Sequence, residues 1–196
     1  FSLMASHDRL AQVMGQIKIL ASALFKISND IKILSSGPRS GIYELIIPQN
    51  EPGSSIMPGK VNPTQCEALS MVCTQVMGFE YAVSIANASG TLQMNEYKPL
   101  IGFNILTSIK LLNNAINNFR LKLVEGIQAN PKTIKTNLEN SLMLVTALVP
   151  KIGYEKAAEI ANLAFNESIN LKEATIKLGY LTANDFEDAI NTNKMI

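Results

Sequence analysis

Residues 10–34 read LAQVMGQIKILASALFKISNDIKIL. Within them Leu10, Val13, Ile17, Leu20, Leu24, Ile27, Ile31 and Leu34 recur in alternating steps of three and four. That spacing is the apolar stripe of an α-helix and not the two-residue alternation of a strand. The same rhythm returns in Leu69, Val72, Val76, Phe79, Val83 and Ala86. It returns again in Ile105, Ile109, Leu112, Ile116, Phe119 and Leu123. Sustained 3–4 spacing is the seam of helices packed at a shallow angle in a long bundle. Each segment runs roughly 25–35 residues, so at ~1.5 Å per residue the helices reach about 40–50 Å. Met14, Ala21 and Phe25 lie off the first seam, and Ala68 and Met71 off the second. Two apolar faces on one helix predict burial on more than one side, hence oligomerisation.

The fold class expected is therefore all-α: a long-helix bundle followed by a small helical domain. Gly90 and the GTLQMNEYKP stretch (90–99) separate the second helix from the third, and Gly126 and Asn130-Pro131 end the third. Beyond them the pattern shortens to segments near 133–149, 154–169, 171–178 and 184–190. We expect a boundary near residue 128, with a bundle over 1–128 and a helical tail domain over 129–196. The first residues, FSLMASHDRLAQVM, read as helix with no cap before them, and Phe1 is not a start methionine. The expectation is a piece of a longer subunit, without a signal peptide.

Composition narrows the function. The chain has 196 residues, 47% hydrophobic and 17% charged, which excludes wholesale disorder. A net charge of +1 gives no basic surface for nucleic acid. No unbroken apolar run nears the ~18 residues of a membrane span. Cys66 and Cys73 form no CxxC pair. They read as buried thiols in a reducing compartment and not as a metal site, and no metal or cofactor is expected. The one histidine, His7, reads as a packed or surface group beside Asp8. One imidazole is little conventional acid–base equipment for a chain of this size.

The chemistry concentrates in the loop 36–62, which together with the adjoining Pro63 holds five of the eight prolines. Its core is EPGSSIMPGKVNP, residues 51–63. Gly53 and Gly59 free backbone N–H groups to turn toward an anion. Ser54 and Ser55 offer adjacent hydroxyls, and Lys60 is a cation for a carboxylate or phosphate. Asn62 before Pro63 reads as an N-cap with proline in the first helical position. The positive end of the following helix faces the same loop. It is not a P-loop, because Val61 stands where that motif needs Ser or Thr. On spacing alone an ordinary surface loop fits these residues as well as an anion site does. Glu67, one turn into the helix, then reads as a solvated charge.

GSSIMPGKVNP closely resembles the signature of the fumarase/aspartase superfamily. The continuation Thr64-Gln65-Cys66-Glu67-Ala68 is similar to the class II fumarase family. So are SGPRSGIYELIIPQNEPGSS (36–55), MVCTQVMG (71–78), SLMLVTALVPKIGYEKAAEIA (141–161) and LGYLTANDFEDAI (178–190). The resemblance spans essentially the whole chain and implies the carboxyl-terminal portion of a fumarate hydratase, which interconverts fumarate and L-malate. It implies Ser54 as catalytic base, with Glu67 supporting a catalytic histidine that lies outside this chain. It implies Ser55, Lys60, Val61 and Asn62 as substrate-binding. It also implies a homotetramer whose active sites each draw on three subunits, in the cytoplasm or the mitochondrial matrix. Two alternatives stay open: a helical oligomerisation module without catalysis, and an ammonia-lyase of the same superfamily.

Overall fold

A computed structural model describes residues 2–190. The chain divides into two compact units, Phe1–Asn130 and Pro131–Ile196. The first comprises α1 (Ser2–Ala5), α2 (Asp8–Leu34), β1 (Leu45–Ile46), α3 (Thr64–Ala88), α4 (Lys98–Lys122), a 3₁₀ turn (Val124–Gly126) and β2 (Gln128–Ala129). The long helices have 27, 25 and 25 residues. Helix α3 packs between α2 and α4. Among the described residues the fold is all-α apart from the antiparallel pairing of Leu45 with Ala129 and Ile46 with Gln128, and an isolated bridge between Thr91 and Met94.

The first helix is interrupted where the sequence pattern runs straight through. His7 turns into the interior, its N–H donating to Asn87 Oδ1 at 2.7 Å and its ring Nε2 lying 3.0 Å from Asn95 O. Beside it, Asn87 Nδ2 and Ser6 Oγ both donate to Asp8, holding its carboxyl below the usual carboxylate range.

The buried seam of α2 also differs from the expected one. Met14, Ala21 and Ser28 are buried at seven-residue intervals, with Ala11, Ile17, Leu24 and Ile31 packed beside them. Leu10, Val13, Leu20 and Ile27 are exposed. The cause is size at the point of closest approach. Ser28 Oγ meets Ser70 Oγ of α3 at 2.7 Å, a contact that small side chains allow and leucines do not. On α3 the expected seam is core at Leu69, Val76, Val83 and Ala86, joined by Cys66 and Cys73. Both thiols are free and buried, and burial pushes Cys66 up to about 11. On α4, Ile105, Leu112, Phe119 and Leu123 are buried, whereas Ile109 is exposed. By length and hydropathy alone α2 and α3 would pass as membrane spans.

Asn95 joins the ends of two helices. Its Nδ2 donates toward the carbonyls of Ala86, Asn87 and Ser89 at 2.9, 3.2 and 3.0 Å. Its Oδ1 accepts from Tyr97 N–H at 3.0 Å. One buried side chain thereby satisfies the carboxyl end of α3 and fixes the entry to α4.

The second unit holds α5 (Pro131–Glu139), a 3₁₀ segment (Leu142–Leu148), α6 (Val149–Ile152), α7 (Tyr154–Glu167), α8 (Leu171–Leu178) and α9 (Ala183–Ala189). The continuous helix expected over 133–149 is broken. Ser141 accepts Met143 N–H and restarts the chain as 3₁₀. Its core is Leu144, Leu148, Ile160, Ala164, Leu171, Ala174 and Phe186. Asn170 and Thr182 cap α8 and α9 by accepting Glu173 N–H at 2.9 Å and Asp185 N–H at 3.2 Å.

Asn95→Ala removes a side-chain partner from three carbonyls and one N–H, of which the Ala86 carbonyl keeps the Ser89 N–H. We expect it to lower stability by about 2–4 kcal/mol. Urea unfolding followed by circular dichroism measures this, and a loss below about 1 kcal/mol contradicts the account.

Candidate active-site loop

The segment leading to the loop is pinned along the carboxyl ends of α2 and α4. Glu44 N–H donates to Leu34 O, and Asn130 N–H to Glu44 O, both at 2.9 Å. Asn130 Nδ2 donates to Tyr43 O at 3.1 Å, and Asn50 Nδ2 to Lys122 O at 3.0 Å. Gly126 lies against Pro48, where a Cβ would stand 2.4 Å from the ring. Leu45 and Ile46 pair with β2, and the Asn130 bonds hold Tyr43 and Glu44 just before them.

Residues 51–63 form a loop closed at its base. Thr64 Oγ1 donates to Glu51 Oε1, joining the two ends. One step in, Gly53 passes the opposite limb so closely that a Cβ would stand 2.0 Å from Lys60 O. Asn62 Nδ2 donates to Gly53 O across the same gap. This corrects the sequence reading of Asn62 as an N-cap. Pro63 occupies the cap position without a side-chain cap bond, and the helix begins at Thr64. The Asn62 amide is spent on closing the loop, and among the described residues no side chain caps the first turn of α3.

Inside the loop the chain wraps around Ser54. Its Oγ accepts from Ile56 N–H and Met57 N–H, each at 3.1 Å. Lys60 N–H closes back on Met57 O at 3.4 Å, and Gly59 takes φ +76° to make the turn. Two backbone donors on one hydroxyl favour its ionised form over its neutral form, because a negative oxygen gains more from each bond. Ser55, the other serine of the pair, is exposed. Lys60 and Val61 are exposed on the same loop. Ile56 is 90% exposed, so an apolar group sits at the loop tip in open solvent.

Glu67 is on α3, one turn beyond Thr64, and its Oε1 lies 3.9 Å from Lys32 Nζ of α2. Glu51, Thr64 and Lys32 escaped the sequence reading. The first two bracket the loop thirteen residues apart, a spacing that carries no periodic signal. No group of three or more metal-ligating side chains occurs among the described residues.

Two family models match: a lyase family over residues 1–78 and the fumarase C C-terminus over residues 144–196. The chain is 97% identical over 196 residues to the class II fumarate hydratase of Prochlorococcus marinus subsp. pastoris, covering 100% of this chain and 42% of that protein. It is 57% identical over 192 residues to the class II fumarate hydratase of Listeria monocytogenes serotype 4b, covering 98% of this chain and 42% of that protein. The crystal structure of recombinant class II fumarase from Schistosoma mansoni superposes with a TM-score of 0.93 at 44% identity. That match covers 97% of this chain and 40% of the other. A 3-carboxy-cis,cis-muconate lactonizing enzyme from Pseudomonas putida, at 20% identity and TM-score 0.76, shares the fold. The chain spans about two fifths of the length of these relatives, 42% in the first case.

Gly53→Ala places a methyl group against the Lys60 carbonyl and forces the two limbs apart. Trypsin cleavage after Lys60 should become several-fold faster than in the parent, as followed by mass spectrometry. Unchanged cleavage contradicts the close approach as the feature that closes the loop.

Proposed function

Because the chain belongs to the class II fumarase family, we propose that it furnishes the base side of a fumarate hydratase active site. The observation that carries this reading is the pair of backbone N–H groups on Ser54 Oγ. The reaction is the reversible addition of water to fumarate, giving L-malate. In the dehydration direction Ser54, as alkoxide, takes the proton from the carbon beside a malate carboxylate. Its oxygen has three lone pairs. Ile56 and Met57 engage two of them and leave one for the substrate proton.

Proton removal turns the neighbouring carboxylate into an aci-form bearing extra negative charge on oxygen. Stabilising that charge is the larger energetic task. Lys60, the Ser55 hydroxyl and the uncapped first-turn N–H groups of α3 are the donors this chain brings to it. Asn62 closes the loop through its amide and contributes to binding by holding that shape. Val61 lies between them on the exposed limb. The hydroxyl group then leaves as water, taking a proton from an acid. His7 does not fill that role, since it is packed against Asn87 and Asn95. The acid is a histidine in the remainder of the subunit, oriented by the Glu67 carboxylate as a carboxylate orients imidazole in the triad arrangement. No step requires a metal or cofactor.

The exposed apolar residues of α2 and α4, among them Val13, Leu20, Ile27, Leu106 and Ile109, support assembly into a homotetramer through the bundle. They serve equally for the assembly-module alternative, because one bundle can support both roles. The reduced, buried thiols suit the cytoplasm or the mitochondrial matrix. The relatives described above carry the name fumarate hydratase, which favours water over ammonia as the leaving group.

The test uses the full-length subunit with L-malate, reading fumarate absorbance. Ser54→Ala should lower turnover by about 10²–10⁴-fold with assembly unchanged. The 196-residue chain alone should show no turnover. Near-parental turnover by Ser54→Ala refutes the serine base, and turnover of L-aspartate but not L-malate refutes the reaction.

A further inference from the structure

We propose that the strap 122–130, which leaves α4 and ends the first unit, positions the Ser54 loop, with Asn130 and Asn50 as its positioning residues. This rests on the reading of Ser54 given above and extends it to residues outside the loop. Segments 43–50 and 122–130 lie antiparallel and meet in one register. Asn130 meets Tyr43 and Glu44, β2 pairs with β1, Gly126 lies against Pro48, and Lys122 meets Asn50. Asn50 is the last of these ties, and the loop 51–63 begins at the next residue.

Two features show the strap imposing this path. The first is Tyr43, which sits at φ +50°. A bulky residue takes that left-handed conformation only where its surroundings hold it. Asn130 is the holder. Its Nδ2 donates to Tyr43 O at 3.1 Å and its N–H to Glu44 O at 2.9 Å. The second is the exit from α4. In a continuing α-helix Gly126 N–H would donate to Lys122 O. Here the chain tightens into the 3₁₀ turn, and that N–H goes to Leu123 O at 3.0 Å. Asn50 Nδ2 donates to Lys122 O at 3.0 Å in its place. The same turn brings Gly126 against Pro48, where a Cβ would stand 2.4 Å from the ring.

The consequence for the chemistry follows from how the loop closes. Its second limb is fixed by running into α3 at Thr64. Its first limb continues from Asn50 and has the strap as its anchor. Releasing the strap lets the first limb leave the pinch at Gly53, and Ile56 N–H and Met57 N–H lose their aim on Ser54 Oγ. The effect is bounded, because the Glu51–Thr64 and Asn62–Gly53 bonds remain. We expect each tie to be worth about three- to tenfold, the range of a single hydrogen bond.

The experiment uses the full-length enzyme with L-malate and two variants. Asn130→Asp deletes the Nδ2 donor and keeps the shape, and Asn50→Ala deletes the other donor at an exposed site. Each should lower kcat/KM by about three- to tenfold and speed amide exchange at Ile56 and Met57 by a similar factor. Amides between Leu69 and Ala86 of α3 should keep their rates. Gly126→Ala, which drives a methyl group into Pro48, should act in the same direction. Parental kcat/KM and exchange in either asparagine variant overturns the inference and leaves the Ser54 reading intact. So does a loss of kcat/KM with exchange accelerated equally throughout α3, which marks general destabilisation. Parental turnover by Ser54→Ala overturns the reading on which the inference rests. A parent enzyme that does not act on L-malate overturns the proposed function itself.

Discussion

Gly53 passes the Lys60 carbonyl at a distance no side chain tolerates, a Cβ there standing 2.0 Å from the oxygen. The site's geometry depends on that pinch. It brings the two limbs of the loop close enough for Asn62 to bond Gly53 O and for Thr64 to hold Glu51. The eight residues between Gly53 and Asn62 must then turn back within a few ångströms. The turn they adopt points Ile56 N–H and Met57 N–H at Ser54 Oγ. A serine with ordinary proton affinity is a poor base. Two fixed donors favour its alkoxide without needing a charged neighbour, and being fixed they need no reorganisation as charge develops.

The helices supply what the loop cannot. Alone, a loop with this much glycine and proline would sample many shapes. Here one end is tied to α4 through Asn50, and the other runs directly into α3. Helix α3 in turn is registered against α2 by the Ser28–Ser70 contact and against α4 by Asn95. Small or polar side chains set these positions, and the larger apolar residues fill in around them. Leucines and isoleucines such as Leu20 and Ile27 are left outside.

The three-and-four rhythm made the helical class legible, and Gly and Pro marked the loop. On α2 a polar contact outranks apolar periodicity. Met14, Ala21 and Ser28 form the true seam of α2, yet hydropathy alone ranks Leu20 and Ile27 above Ala and Ser. Asn95 lies in the GTLQMNEYKP stretch, which the sequence marks only as the break between two helices. Its importance comes from four backbone partners that no local pattern announces. Within the loop, the serine pair and the lysine were visible as residue types. Which serine receives two backbone donors was not, since it depends on where two N–H vectors point. Asn62 before Pro63 carried a strong capping signal and was misread, because closing the loop across Gly53 captured its side chain first.

The central claim is that Ser54 Oγ holds the amide hydrogens of Ile56 and Met57. Amide hydrogen exchange at those two positions measures it most directly, in the parent chain and in Ser54→Ala. If the hydroxyl is the acceptor, its removal should speed exchange at both amides by about five- to tenfold, the worth of one hydrogen bond each. Amides elsewhere in α3 should keep their rates. Equal exchange at Ile56 and Met57 in the two proteins would contradict the account.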